Sequence, residues 1–290
     1  MRQRLIWLVI AAAAAMPAFS GPILGSAQAF AVLGGSAVTN TGSTTLNGDL
    51  GIYPGSAITG GGITFIGAST VHNTPPGLDP VSIQAKTDLT SAYNLLASQP
   101  FTSNLSGQNL GTIGLLDAGV YRFDSTAGLT GTLTLDAQNN PNALFIFQIG
   151  TALTTASASV VNVINVNSNS NVGVYWVLGV TGGSGTGSAT LGTTTVFAGN
   201  ILALDSITLN NSAEILCGRA LARNGAVTMD TNTISNNCNT YAGGTGRTDS
   251  GTLGFSGGAG STQAVPEPGT AGLLSLVGLL GTLAWRKFRV

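Results

Sequence analysis

Charge is what this 290-residue chain has least of. Asp, Glu, Lys and Arg make up 7% of it, and there is one histidine. Of its ten Lys and Arg, five lie at the extreme ends: Arg2, Arg4, Arg286, Lys287 and Arg289. Between residues 21 and 264 only Lys86, Arg122, Arg219, Arg223 and Arg247 remain, against ten acids, a net charge of about −5. Without a basic patch, no nucleic acid partner is expected. The acids are scattered singly, and no HExxH, GxSxG or P-loop occurs. The lone His72 sits in a Pro-rich loop, "VHNTPPGLDP", and reads as plain surface rather than as a base or a ligand. The chain reads as a non-enzyme that calls for neither cofactor nor metal.

The two ends differ from the rest. "MRQRLIWLVIAAAAAMPAFSG" has two arginines, an apolar run and small residues, the layout of a secretory signal peptide. Cleavage sites offer themselves at Ala18-Phe19-Ser20 and at Ala27-Gln28-Ala29. At the other end, residues 269–285 are apolar and uncharged, followed by a basic cluster. That length is at the short limit for a membrane span, with the basic end on the cytoplasmic side. Residues 243–264, "GGTGRTDSGTLGFSGGAGSTQA", read as a flexible linker. One domain lies between, over 21–242.

What the domain does have is a repeated phrase. "GSAVTN" (35–40), "GSAITG" (55–60), "GTALTT" (150–155) and "GSATLG" (187–192) share small residues ending near a threonine. Alignment on that threonine gives seven copies, ending at Thr39, Thr59, Thr130, Thr154, Thr190, Thr208 and Thr228. Several steps are close to 20 residues, the period of a β-solenoid coil, and the longer steps carry insertions. Strand parity assigns the faces. Val38, Ile58, Leu129, Leu153, Ala189, Ile207 and Val227 point inward, with Leu191, Leu209 and Met229 two residues on. The threonines then form one outward column. Ala37, Ala57, Gly128, Ala152, Ser188, Ser206 and Ala226 form a second, all small. Outward threonine in a strand is common; seven copies beside a column of small residues, without Lys, Glu or Arg, predict a functional flat face. "GDLGI" (48–52), "GNILAL" (199–204) and "GRALAR" (218–223) predict a second face. Within the longest insertion, residues 79–99 predict one α-helix along the solenoid. Asp79 is its N-cap, Pro80 its first residue, and Ile83, Leu89, Ala92, Tyr93 and Leu96 form its inner face.

The stretches "FAVLGGSAVTNTGSTTLNGDLGIYPGSAITG", "LTGTLTLDAQNNPNALFIFQIGTALTTASAS" and "GNILALDSITLNNSAEILCGRALARNGAVTMDTNTI" closely resemble the microbial ice-binding (antifreeze) proteins. The resemblance runs over almost all of residues 23–240. It implies a right-handed, discontinuous β-solenoid of roughly triangular cross-section with one long helix alongside. It implies an ice-contacting face patterned Thr, Ala or Gly, any residue, then Thr or Asn. Here the final threonine falls on the column above. The initial position is threonine only at Thr151, the others being Ser36, Ser56, Ala127, Gly187, Asp205 and Gly225. The family's mature domain begins with a segment like "ILGSAQAFAVL", which favours signal cleavage after Ser20. The C-terminus resembles an exosortase sorting tail: Val265-Pro266-Glu267-Pro268, an apolar span, then a basic end. This implies a Gram-negative bacterium that makes exopolysaccharide, an exosortase-type processing partner, and transient inner-membrane anchoring before release or surface display.

The expected function is therefore adsorption to an ice crystal surface. The alternative is a surface adhesin that binds exopolysaccharide. Carbohydrate faces expose aromatics, whereas Tyr175 and Trp176 lie in an apolar run, "NVGVYWVLGV", that reads as buried. The two cysteines, Cys217 and Cys238, are expected in an oxidising compartment. They predict a disulfide pinning the C-terminal end of the solenoid, the alternative being two buried free thiols.

Overall fold

The computed structural model describes residues 22–166, 171–180, 187–238 and 255–257. The signal segment, residues 269–285 and the sorting motif at 266–268 lie outside the described residues. Within them the chain is a β-solenoid of parallel strands. Each coil turns through three faces, and the pairings define each face as a ladder.

The first face is a seven-stranded sheet. In spatial order its strands are Ala127–Leu129, Leu153–Thr155, Ala189–Leu191, Ile207–Leu209, Val227–Asp230, Ala37–Thr41 and Ala57–Thr59. The next strand of each coil builds the third face, from Leu115–Asp117 at one end, through Thr132–Asp136 and Val160–Ile164, to Thr44–Asn47 and Ile63–Ile66 at the other. The remaining ladder runs from Ser103–Asn104 and Gly119–Phe123 through Leu144–Ile149 and Gly173–Leu178 to Phe30–Gly34 and Asp49–Ile52. Strands Val196–Ala203 and Glu214–Ala222 each turn the corner between the last two faces at a register shift near Gly199 and Gly218. Gly199 has φ +97°, and a Cβ on it would meet Val174, so the corner requires glycine there.

Coil order in space departs from chain order. The coil that begins at Phe30 stacks on Glu214–Ala222 and Val227–Asp230, some 190 residues later in the chain. The N-terminal coils thus extend the stack beyond the C-terminal one. Cys217 and Cys238 are bonded, as expected. However, the coil they close lies inside the stack rather than at its end, because Phe30–Gly34 and Thr44–Asn47 cover it.

The interior is apolar because strand parity sends one side chain in two inward. Tyr121, Phe147, Trp176 and Phe197 form an aromatic column, the first three stacked and Phe197 tilted, with adjacent centroids 5.5, 3.9 and 4.9 Å apart. Tyr175 and Trp176 are fully buried, as expected. Helix α1 (Pro80–Ala97) covers part of the ladder that contains Gly173–Leu178. Asp79 caps it, accepting from the Val81 and Ser82 N–H groups at 2.9 and 3.2 Å. Its inner face holds Leu89, Ala92, Tyr93 and Leu96, but Lys86 is buried there and Ile83 is only half-buried. Lys86 is drawn in by carbonyls: its Nζ donates to Ala222 O and, at 2.6 Å, to Arg223 O. The Tyr93 hydroxyl donates to Leu178 O at 2.9 Å.

Two further expectations change. His72 is not plain surface: its Nε2 is 3.3 Å from Asp49 and its Nδ1 3.7 Å from Asp79, with the ring against Phe30. The linker expected over 243–264 is interrupted at residues 255–257, which are packed into the solenoid.

Candidate functional site: the threonine face

The seven-stranded sheet carries the repeated phrase, and its register brings six of the threonines into one row. Thr154 pairs with Thr190, Thr190 with Thr208, Thr208 with Thr228, Thr228 with Thr39, and Thr39 with Thr59. Neighbouring strands in such a ladder lie about 4.8 Å apart. The row is thus a line of hydroxyls and methyls with one fixed repeat. Thr39 and Thr59 at its end are close enough for a hydroxyl–hydroxyl hydrogen bond of 3.2 Å. Thr59 and Thr154 are exposed; Thr39, Thr190, Thr208 and Thr228 are half-exposed between their neighbours.

The side chains point outward because their flanks are held in. Val38, Leu153, Ile207, Val227 and Leu209 are at most 1% exposed. Ile58 is only half-buried because its strand is the last in the sheet. One inward position carries a polar group that periodicity alone did not reveal. Asn40, 3% exposed, occupies the place of Met229, and its amide donates to Gly42 O and Gly61 O at 3.0 and 2.6 Å.

The small column runs beside the threonines. Ala37 pairs with Ala57. Ala152, Ser188, Ser206 and Ala226 each offer a carbonyl to the following residue's partner in the neighbouring strand, which sets them in one file. Ser206 also accepts from the Ala226 N–H at 3.1 Å. Rim positions follow: Gly187, Asp205 and Gly225 are linked across coils, the Asp205 N–H donating to Gly187 O and the Gly225 N–H to Asp205 O, while Thr151 links to the coil on its other side. Asp205 is the charge on that rim. On the opposite margin Asp230 pairs with Thr41. Both carboxylates lie outside the two central columns.

The outermost coil corrects the alignment. Gly128, not Thr130, pairs with Thr154, and Ala127 pairs with Leu153. Gly128 therefore continues the threonine row, and Thr130 lies two residues further on, still outward and exposed. Ala127 is buried rather than at the rim; the rim position falls to Ser125, whose carbonyl accepts from the Thr151 N–H at 2.9 Å. A shift of two leaves parity unchanged, so the apolar pattern does not distinguish the two registers.

Nothing on this face resembles a reaction centre. Among the described residues no cluster of three His, Cys, Asp or Glu is placed to hold a metal ion. The His72–Asp49–Asp79 group joins the strand end and the helix N-terminus. Burial tends to raise the Asp79 pKa. Hydrogen bonds from the Ser82, Thr74 and Val81 N–H groups, with His72 nearby, outweigh it and hold the carboxyl below its usual range. Fully buried Arg219 binds Asn200 Oδ1 and Gln28 O at 2.8 and 2.9 Å, and burial brings its pKa down to about 10, which leaves it charged at neutral pH.

The fold of stacked parallel coils has counterparts among known proteins. The Ice-binding-like family matches residues 32–235, and the PEP-CTERM protein-sorting motif matches residues 264–289. The chain belongs to the Ice-binding-like family. It is 49% identical over 218 residues to an ice-binding protein of Nostoc sp. (strain HG1), covering 75% of each chain. It is 32% identical to ice-binding protein 1 of Shewanella frigidimarina, over 74% of this chain and 26% of that one. Among solved structures, an ice-binding protein from an Antarctic biological consortium superposes with a TM-score of 0.63 at 40% identity, over 76% of this chain and 93% of that one. That of the ascomycete Antarctomyces psychrotrophicus gives 0.63 at 34%, over 74% and 98%.

Proposed function

We propose that this protein adsorbs to ice through the threonine face and thereby inhibits ice growth or recrystallisation. The observation that carries the reading is the unbroken row Thr154, Thr190, Thr208, Thr228, Thr39, Thr59, held in register by backbone pairing. Methyl groups cage water and hydroxyls hold it at fixed positions, so a periodic row of both orders a water layer that can merge with a crystal. Charges in the row would organise water around themselves instead. Because the backbone is already fixed by the parallel ladders, little conformational entropy is lost on adsorption. The contact set is the six threonines with Gly128 and Thr130, and the small residues Ala37, Ala57, Ala152, Ser188, Ser206 and Ala226, with Thr151 at the rim. The mechanism is binding, without a chemical step.

The polysaccharide-adhesin alternative is weaker. The aromatic pair that a sugar face would display, Tyr175 and Trp176, is buried in the core. The sorting-motif match supports export, with an exosortase-type enzyme cutting near Pro266-Glu267-Pro268 and residues 269–285 serving as a transient anchor. Intact-mass measurement of the native protein is expected to show residues 1–20 and 269–290 missing; retention of the latter would mean a lasting anchor. The ice reading is tested by watching single crystals in purified ectodomain, residues 21–264. Shaped crystals and slowed recrystallisation are expected. Crystals that grow as in buffer would refute it.

A further inference from the structure

The segment Phe255-Ser256-Gly257 comes from a stretch whose composition reads as linker, yet Phe255 is fully buried within the main core cluster. Ser256 bridges Gly173 in antiparallel fashion, unlike the parallel ladders around it. The Val174 N–H donates to Phe255 O at 2.9 Å, and the Gly257 N–H donates to Val172 O at 3.2 Å. Two buried side chains complete the seat. Asn200 Nδ2 donates to Phe255 O at 3.0 Å, and the Tyr175 hydroxyl donates to Ser256 O. The backbones approach so closely that a Cβ on Gly257 would come within 2.9 Å of Gly173 Cα. Asn200 is itself held by Arg219, which grips Gln28 O near the start of the domain. A buried polar chain therefore ties this segment to the opposite terminus of the fold.

Its place in the coil gives the seat a consequence. Val172–Val174 and Asn200 lie where the chain passes from the third face to the helix-covered face. In a three-faced coil that corner is the vertex opposite the threonine sheet. From Gly257 only residues 258–264 separate the strap from Val265-Pro266-Glu267-Pro268, a reach of about 25 Å at full extension.

We infer that residues 255–257 are a strap that fixes the exit of the C-terminal segment at the vertex opposite the threonine face. A molecule held by that segment then presents the face outward, and it engages ice while attached. The inference rests on the reading of the threonine face given above, and the experiment separates the two. Ectodomain of residues 21–264 is coupled to beads through its C-terminal end, or through Thr190→Cys in the face itself, and uptake of beads into growing ice is compared with thermal hysteresis of the free protein. Free protein that is active, with C-terminally coupled beads taken up about tenfold more than face-coupled ones, is the expected result. Active free protein with inert C-terminally coupled beads overturns the orientation alone. Inactive free protein overturns the face reading and this inference with it. The strap is read separately, from spin labels on Ala259→Cys and Thr208→Cys. A narrow distance distribution that broadens when Phe255→Ala is added supports it, and an equally broad distribution without that substitution overturns it.

Discussion

At the scale of single residues, the face is defined by what its neighbours forbid. Thr208 and Thr228 point outward because Ile207, Leu209, Val227 and Met229 fill the interior. A bulky substitution there meets solvent, so Thr208→Tyr and Thr228→Tyr are expected to change stability by no more than about 0.5 kcal/mol. Each is nevertheless expected to remove most thermal hysteresis, since a tyrosine ring holds the flat face off the crystal. Thr45→Tyr is the matched control: it is also an outward strand threonine, paired with Thr233 and Thr64, but on the third face, where the ladder continues into Glu214. Melting and hysteresis are measured on the same samples. Folded face variants with full hysteresis, or a control that loses it, would place the ice contact elsewhere. The outward assignment of the seven threonines was legible in the sequence because their flanking residues alternate with period 2. The register of the outermost coil was not, because placing Gly128 or Thr130 opposite Thr154 buries the same apolar residues.

At the scale of elements, helix α1 was legible from its cap and its apolar spacing, whereas its buried lysine was not. Lys86 breaks the apolar stripe, and only the folded chain shows that Ala222 and Arg223 carbonyls receive it. Burial, with a smaller contribution from the Arg223 charge, pulls its pKa down from 10.5 to about 7. The unfolded chain then binds more protons than the folded one between about pH 7 and the ordinary lysine value. Stability therefore rises with pH across that window. The two carbonyl contacts favour the ammonium and oppose the effect, so about 3 kcal/mol is the upper bound on the rise between pH 7 and pH 9.5. Thermal melts at pH 7 and pH 9.5 are expected to show it in the native chain and not in Lys86→Met; a native chain whose melting is level or falls with pH would count against the burial account. The helix cap gives an independent measurement. Asp79→Ala removes the acceptor for Val81 and Ser82 and the partner of His72, and is expected to cost about 1–2 kcal/mol. The strap at 255–257 escaped notice in the sequence for a related reason: one phenylalanine among glycines and serines carries no periodicity.

At the scale of the whole molecule, the sequence showed a solenoid but not which coils touch. A repeat marks equivalent units without ordering them, and here the N-terminal coils are the neighbours of the C-terminal coil. That junction is a contact between residues nearly the full domain apart, as Val32 with Ala220 and Thr39 with Thr228. Closing so long a loop is costly before any pairing rewards it. The disulfide acts at this place. Cys217 and Cys238, 21 residues apart, bracket the coil on which Phe30–Gly34, Ala37–Thr41 and Thr44–Asn47 dock. By restricting the unfolded chain, a loop of that length contributes roughly 3 kcal/mol. It also gives the N-terminal coils a formed template. The double variant Cys217→Ser/Cys238→Ser is expected to melt lower by that free energy. Its hydrogen exchange should loosen first in Phe30–Gly34 and Ala37–Thr41, ahead of the coils at 119–164, which stack on chain neighbours. Well below its melting point it should keep hysteresis, because Thr154, Thr190 and Thr208 lie outside the bridged coil. Exchange that rises equally in all coils would show that the bridge stabilises the domain as one cooperative unit, with no particular hold on the junction.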